Sequence, residues 1–403
     1  MNSEYYRVGR KQLGLLSCIR DIAISRFLLP KSIITKWLVP YTPDYIFLTH
    51  PRNWADVQST FPFLRFLGTF LPKRALKFLL ALAPCYMVAR VSGPGPKRGF
   101  VISVVDLPDE LFSSRELTKK RVEECIHFFE KICTRRAFVG LAAWWPIISN
   151  SGQLFLDQMP KNSLITVTNG HMATLASLYL TFIDIAGMSG QPVSSASALI
   201  IGVGKVGGGL AELLAPHVKK IGLVDKNKFR VAALKGQLLK IKPTLEIEGV
   251  VLSDKTGESD LGQRIATYRV AICTTSNTEL IIKDTKYLHN CIIIDDSRPE
   301  AFPRFFSKEK KILVLEGGLM KIPGVTLDSD FGFGTEENIF GCLSEAIVLS
   351  LDKDGMLKPS IGTLDHEAFF KLIEFCKANG IQRGDLKCGL TKISDNDMLS
   401  YIT

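Results

Sequence analysis

The segment Gly202-Val-Gly204-Lys205-Val206-Gly207 follows the apolar run Ala198-Leu-Ile-Ile201 and opens a stretch of helical character through Leu214. A second apolar run, Ile221-Gly-Leu-Val224, ends in Asp225. A strand, a G-x-G-x-x-G turn, a helix and a second strand closed by an acid form a dinucleotide-binding fingerprint. The first glycine permits the turn, the second lets the backbone approach a pyrophosphate, and the third lets helix pack on strand. The helix start offers free N–H groups and a positive dipole end to the phosphates. Lys205 in the first helical turn opposes that dipole, and a bound phosphate would reverse the sign. A lysine pointing into solvent has the same sequence. Asp225 suits a ribose 2′-hydroxyl and so NADH, whereas Lys226, Lys228 and Arg230 suit the 2′-phosphate of NADPH. Both cofactors stay open, with Thr274 after a later strand as a further contact.

Cys342 stands out among nine cysteines. It lies in Asn338-Ile-Phe-Gly-Cys-Leu-Ser-Glu-Ala346, early in an expected helix and beside Gly341, whose small size would leave room for a substrate. Near a helix N-terminus the reactive thiolate is favoured. A buried structural cysteine fits the same sequence. His171, in Thr168-Asn-Gly-His171, sits beside a glycine at an expected helix start, as an acid/base group facing a cleft would; a structural histidine fits equally. Glu316-Gly317-Gly318 would bring backbone near a nicotinamide, or form a plain turn.

These residues need elements to hold them. Runs at Ala198–Ile201, Ile221–Val224, Gly249–Leu252, Val270–Cys273, Cys291–Ile294 and Ile312–Leu315 alternate with helical segments. That alternation predicts a parallel sheet with helices on both faces. Upstream, a strand over Gly99–Val105, a helix over Ser114–Cys133 and an apolar run over Phe138–Ile148 predict an α/β layer. A helix over Gly170–Ala186 leads to a linker at Gly187–Pro192. From about Pro323 the tail reads as mainly helical, with helices over Glu336–Leu351 and Asp365–Ala378. Lys73-Arg-Ala-Leu-Lys-Phe-Leu-Leu-Ala-Leu-Ala83, basic at one end and otherwise apolar, has the pattern of an element lying on a membrane surface. An ordinary core helix with a solvated end has the same pattern.

Composition sets the outer limits. The 403 residues are 46% hydrophobic and 22% charged, a packed globular profile that excludes disorder and calls for two or three domains. A formal charge of +10 favours an anionic partner. Scattered cysteines without a CxxC pair argue against a zinc site or a secreted disulfide framework, so no metal and a cytoplasmic setting are expected. The opening MNSEYYRVGRKQ is charged, and the apolar stretches after it are broken by Pro30, Pro40 and Pro43. Neither a signal peptide nor a membrane span is expected there.

Together the motifs resemble the long-chain acyl-(acyl-carrier-protein) reductases, the fatty-aldehyde-forming family best known from cyanobacteria. The likeness covers roughly Gly99 to Asp354. It rests on Leu107-Pro-Asp-Glu-Leu-Phe-Ser-Ser-Arg115, Val139-Gly-Leu-Ala-Ala143, Thr168-Asn-Gly-His171, the glycine fingerprint, Ile294-Asp-Asp-Ser-Arg-Pro299, Leu315-Glu-Gly-Gly318 and Ile339–Ala346. The family's nucleophilic cysteine lies in Phe-x-Cys-Phe-x-Glu-Ala, which Phe340-Gly-Cys342-Leu-Ser-Glu345-Ala346 matches. The resemblance implies an N-terminal α/β sandwich for the acyl substrate (1–167), a connecting helix and linker (168–192), a Rossmann domain (193–322) and a helical C-terminal region carrying the cysteine (323–403). It implies NADPH or NADH as cofactor, a long-chain acyl thioester as substrate and an acidic acyl carrier protein as partner. Contact with a membrane periphery stays open, and nucleic acid is not expected. The chemistry implied is capture of the acyl group on Cys342, hydride reduction and release of an aldehyde, with His171 or backbone N–H groups stabilising the oxyanion and Trp144-Trp145-Pro146 walling an acyl tunnel. The chain departs from the family in its glycine loop, which there usually reads Gly-Ala-Thr-Gly-x-Ile-Gly, and in placing Asp225-Lys226 where the family has an arginine. Two rivals remain: a dehydrogenase of a small polar substrate without a covalent step, and a non-catalytic dinucleotide sensor.

Overall fold

The computed structural model describes residues 11–253, 257–276, 279–331, 334 and 336–402, so the reading of the first ten residues lies outside it. The first sheet is built from β1 (Tyr45–Thr49), β2 (Tyr86–Ser92), β3 (Arg98–Ser103), β4 (Ala137–Leu141) and β5 (Ile165–Thr168). β1 lies between β3 and β4 and is parallel to both, β5 continues parallel beyond β4, and β2 runs antiparallel to β3. Alternation along these strands splits their side chains between two faces. Ile46, Leu48, Ile102, Val139, Leu141 and Val167 pack in one core with Val122, Cys125, Phe129 and Ile132 of the helix Arg115–Ile132. That helix starts where Ser114 Oγ accepts a hydrogen bond from the Leu117 N–H at 3.2 Å, a cap worth about 1 kcal/mol.

The chain continues through the helix His171–Met188 into β6 (Ser197–Ile201), β7 (Lys220–Asp225), β8 (Glu246–Val251), β9 (Val270–Cys273), β10 (Cys291–Asp295), β11 (Phe306–Ser307) and β12 (Ile312–Glu316). Their sheet order is β11-β12-β10-β9-β6-β7-β8. All the pairings are parallel except that of β11, a two-residue antiparallel edge on β12. This is the doubly wound Rossmann arrangement, and the fold class is α/β. The order reverses between β6 and β9, which opens a crevice at their carboxyl ends. The helix His171–Met188 is long and apolar enough to cross a membrane, yet 56% of it is buried inside the protein, as a core helix is.

The tail differs from its expected helical character. β13 (Leu319–Leu327) pairs antiparallel with β2 at Thr326↔Ser92 and Leu327↔Val91, and β14 (Glu336–Phe340) lies beside β13 in the same sheet. The helix expected over Glu336–Leu351 therefore starts only at Gly341. Phe340 is extended (φ −60°, ψ 139°), and a short apolar run fits strand and helix periodicity alike. Further on come the helix His366–Ala378, three two-residue strands and a last helix, Asp395–Ile402.

The chain forms two compact units. One comprises the residues up to Met172 with Ile322–Gly380, and the other comprises Ala173–Lys321 with the residues from Ile381 onward. The division near 322 falls where the sequence expects it, and the region expected as one helical tail is shared between the units. Residues 322–380 complete the first unit, and the last stretch completes the Rossmann unit.

Candidate functional site

In the Rossmann unit the glycine loop has the geometry its spacing predicts. Gly202 turns the chain at φ +89°. A Cβ on Gly207 would overlap the Gly202 carbonyl oxygen and lie 2.6 Å from Thr274 Oγ1, so only glycine fits there. A Cβ on Gly204 would meet nothing within 4 Å, which leaves open space beside the loop. Gly204 caps the helix Lys205–Leu214 without a side-chain acceptor, and the positive end of that helix's dipole lies at the loop. A cleft of about 450 Å³ opens here, lined by Gly202, Gly204, Asp225, Lys226, Arg230 and Thr274 among others.

The residues singled out divide into those facing the cleft and those beside it. Asp225 Oδ2 accepts from the Val203 N–H at 2.9 Å and Oδ1 from the Asn227 N–H at 2.8 Å, which ties the second strand to the glycine loop. Four lone-pair sites leave the carboxylate capacity for ribose hydroxyls. Lys226 and Arg230 line the cleft, whereas the Lys228 ammonium lies over the Phe229 ring at 5.2 Å. Lys205 and Val206 occupy the first helical turn, outside the lining. Thr274 Oγ1 donates to the Gly202 carbonyl at 2.8 Å, so it fixes the turn as well as facing the cleft.

Eight of the nine cysteines are buried, and Cys342 is the exception. Burial pushes the thiols of Cys18, Cys133, Cys291 and Cys376 up to about 12 and that of Cys388 to about 11, which leaves them inert. Cys342 is the second residue of the helix Gly341–Leu351, which lacks a side-chain cap. This helix packs on β1 and β4, on the face opposite the helix Arg115–Ile132, where Gly140 alternates with Val139 and Leu141. A Cβ on Gly140 would stand 2.6 Å from the Cys342 carbonyl oxygen, and one on Gly170 would overlap Cα and Cβ of Cys342. Gly341 is itself buried, and Gly140 and Gly170 let the helix settle against the sheet.

Gly170 adjoins His171, so the first unit brings the Cys342 backbone and the histidine-bearing turn together. The His171 N–H donates to Asn169 Oδ1 at 3.0 Å, and Asn169 N–H donates to the Ser360 carbonyl at 2.8 Å. Beneath them Glu345, one turn after Cys342 and fully buried, accepts from Thr168 Oγ1, Ser360 Oγ and, at 3.0 Å, the Ser360 N–H. No sequence pattern announces this clamp. Its members are 177 and 15 residues apart; Thr168 and Glu345 each fall inside a quoted motif, but nothing in the sequence pairs them or points to Ser360.

Two further groups escaped sequence reasoning. His50 follows β1 and is buried, with Nδ1 on the Pro51 carbonyl at 3.0 Å and Nε2 accepting from the Trp144 N–H at 3.1 Å. Both ring nitrogens are used only in the neutral form, and burial lowers the pKa against the smaller pull of Pro51. The unfolded chain takes up that proton below about pH 6.5 and the folded chain does not, so stability falls as pH drops through that range. Denaturant midpoints at pH 7.5 and 5.5 should fall less in His50→Asn than in the parent; an equal fall in both removes His50 as the cause.

Asp296 follows β10 and is the second group. Burial, with a smaller push from Asp295 and against Arg298, raises it to about 7, within reach of acid/base work at neutral pH. The glycines after Glu316 serve this loop: a Cβ on Gly317 would come 2.7 Å from the Asp296 nitrogen, and one on Gly318 would overlap Oδ1. Trp145, expected as a tunnel wall, is fully buried and donates from Nε1 to the Thr49 carbonyl at 3.2 Å, so it belongs to the core. Pro146 is buried with it, while Trp144 is half-buried. Among the described residues no three or more His, Cys, Asp or Glu side chains group to hold a metal ion.

No protein-family model matches the chain, and no curated protein sequence matches it. Among solved structures it is similar to dipicolinate synthase, A chain, from Bacillus subtilis (12% identity, 49% of this chain and 59% of that one, TM-score 0.28). It is also similar to ligand-free 5-ketofructose reductase of Gluconobacter sp. strain CHM43 (11%, 82% and 98%, TM-score 0.32). A third is quinate dehydrogenase from Corynebacterium glutamicum in complex with NAD (13%, 62% and 79%, TM-score 0.29). The chain thus spans 59% of the first of these. Likeness at these scores carries no weight beyond the geometry described above.

Proposed function

We propose that this chain is an NAD(P)H-dependent oxidoreductase that reduces a long-chain acyl thioester to an aldehyde through an acyl-Cys342 intermediate. The observation that carries the reading is the pairing, in one chain, of a glycine-loop cleft with a single unburied thiol at a helix start. The Cys342 thiolate attacks the acyl carbonyl, a new C–S bond forms, and the pantetheine thiolate leaves with the electron pair of the old one. A dinucleotide held at the glycine loop would supply a hydride; once the captured acyl group has taken it, the C–S bond breaks with its electron pair returning to Cys342 and the aldehyde leaves. An oxyanion develops on attack, and the N-terminal N–H groups of the helix Gly341–Leu351 or the His171 ring would stabilise it. Glu345, through Thr168 and Ser360, holds the histidine turn in register with the thiol helix.

Incubation with an acyl thioester without reductant, followed by peptide mass spectrometry, tests this directly. An acyl mass on Cys342 is expected. Its absence with both carrier-protein and coenzyme A thioesters overturns the covalent reading. A second reading, a dehydrogenase of a small polar substrate, is favoured by Asp296 and its raised pKa; turnover would then stop in Asp296→Asn and survive in Cys342→Ala.

Cofactor preference turns on Asp225. In Asp225→Ala the affinity for NADH should fall about tenfold, the loss of one charge-assisted ribose contact, while NADPH affinity holds or rises. Fluorescence titration of both dinucleotides reads this out, and an unchanged ratio would remove Asp225 from the ribose.

A further inference from the structure

The first unit carries helical segments on either side of β1, residues 13–26 and 54–82, that share one core and leave large apolar side chains exposed away from it. Inward, Leu13, Cys18, Val57, Phe61, Leu64, Leu76 and Leu80 form one core with Tyr86. Outward, Phe66, Phe70 and Phe78 are 68%, 74% and 72% exposed. The rings of Phe66 and Phe70 meet edge-on at 5.6 Å. Arg26 donates to the carbonyls of Ala81 and Leu82 at 3.0 and 2.7 Å, which joins the end of the helix Leu15–Arg26 to the end of the helix Lys73–Leu80. Phe27, Leu28 and Leu82, all exposed, adjoin that junction. Monomeric proteins rarely leave so many large apolar side chains in water on neighbouring elements.

Charge follows the same elements. Residues 11–82 hold ten Lys and Arg against three Asp, and so carry +7 of the chain's formal +10. Asp21 is paired with Arg20 and Asp56 with Arg52, while Asp328, Glu124 and Glu110 pair with Lys11, Arg26 and Lys77, which leaves the outer charge to residues such as Lys73 and Arg74. Arg74 and Phe78 stand one helical turn apart, both exposed, with Lys73 beside them. Aromatic side chains flanked by Lys and Arg suit the boundary between lipid headgroups and acyl chains. An acidic carrier protein would answer the charge but not three exposed phenylalanines, and a second copy would bring +7 against +7.

We propose that these helical segments dock the protein on an anionic lipid bilayer, with Phe66, Phe70 and Phe78 entering the headgroup boundary and Lys73 and Arg74 meeting anionic headgroups. The inference stands apart from the proposed reaction, because its readout is partition rather than turnover. The full chain is floated with phosphatidylcholine vesicles and with vesicles holding about 30% phosphatidylserine. Partition to the anionic vesicles is expected at least about tenfold above the neutral ones, and it should weaken in high salt. Lys73→Glu/Arg74→Glu should lose that preference by roughly tenfold or more. Phe66→Ser/Phe70→Ser/Phe78→Ser should not bind, while its far-ultraviolet circular dichroism and dinucleotide titration match those of the parent. Absence of vesicle binding by the parent overturns the proposal. So does binding indifferent to both sets of substitutions, a concentration-dependent dimer broken by the phenylalanine substitutions without lipid binding, or binding to an acidic carrier protein alone.

Discussion

Cys342→Ala should abolish the acyl adduct and lower kcat on the order of 10⁴-fold or more, as removal of a nucleophile does in covalent catalysis. Its denaturant midpoint and dinucleotide titration should match those of the parent, because the side chain is not part of the core and the glycine loop belongs to the other unit. Alkylation sharpens the test. Limiting iodoacetamide should label Cys342 ahead of the eight buried cysteines, and the label and activity should disappear together. Acyl-dependent oxidation of NAD(P)H that persists in Cys342→Ala ends the covalent mechanism outright.

The second large effect is on stability. Glu316 closes β12 with its side chain 3% exposed, and it takes Arg298 Nη2 at 2.9 Å, Arg304 Nη2 at 3.0 Å and the Gly389 N–H at 3.2 Å. Arg298 in turn donates to the carbonyls of Asp295 and Ser297 at 3.2 and 2.7 Å. One carboxylate thus ties the Asp295–Arg304 loop and the chain's last residues to the end of the sheet. Glu316→Ala leaves the largely buried Arg298 guanidinium without its acid and takes from Arg304 one of its two, Glu300 remaining. Breaking such a buried pair from one side costs about 3–5 kcal/mol. The urea midpoint of the Rossmann unit should fall accordingly, while Glu300→Ala, which removes a peripheral partner of Arg304, should cost less. A Glu316→Ala midpoint within about 0.5 kcal/mol of the parent, the usual range for a surface change, would show the network to be ornamental.

The sequence made the Rossmann sheet readable because each strand there is a short β-branched run flanked by helical segments, and a parallel sheet buried on both faces demands that pattern. The start of β8 is the exception: Glu246–Val251 is exposed along much of its length, and Ile247 stands between two glutamates before the apolar run begins at Gly249. The first unit was harder to read, since its sheet takes β13 and β14 from beyond the other unit and no local periodicity announces a pairing such as Thr326 with Ser92. In the site, the glycines were legible because each answers to a backbone constraint near in sequence. Cys342 was legible by motif but not by packing: the Gly140 and Gly170 contacts that seat its helix are long-range. Glu345 hid inside an apolar helical run, and Trp145, expected to wall an acyl tunnel, is instead a core residue whose indole donates to the Thr49 carbonyl.

The interleaving of the two units has a consequence for how the protein is made. A ribosome delivers the N-terminus first, and domains as a rule fold as they emerge. When residue 172 is out, the first unit still lacks β13 along β2 and the helix Gly341–Leu351 over Phe47 and Gly140, so an apolar face and an open edge wait for some 150 more residues of synthesis. The Rossmann unit waits in turn for its final stretch, since Arg269 Nη2 reaches the Ile402 carbonyl at 2.6 Å and Lys308 reaches Asp397 at 2.7 Å. The first unit needs residues up to Gly380 and the Rossmann unit needs residues beyond it, and a fragment cut at 193–322 would lack the Gly389 contact that helps hold Glu316 in place.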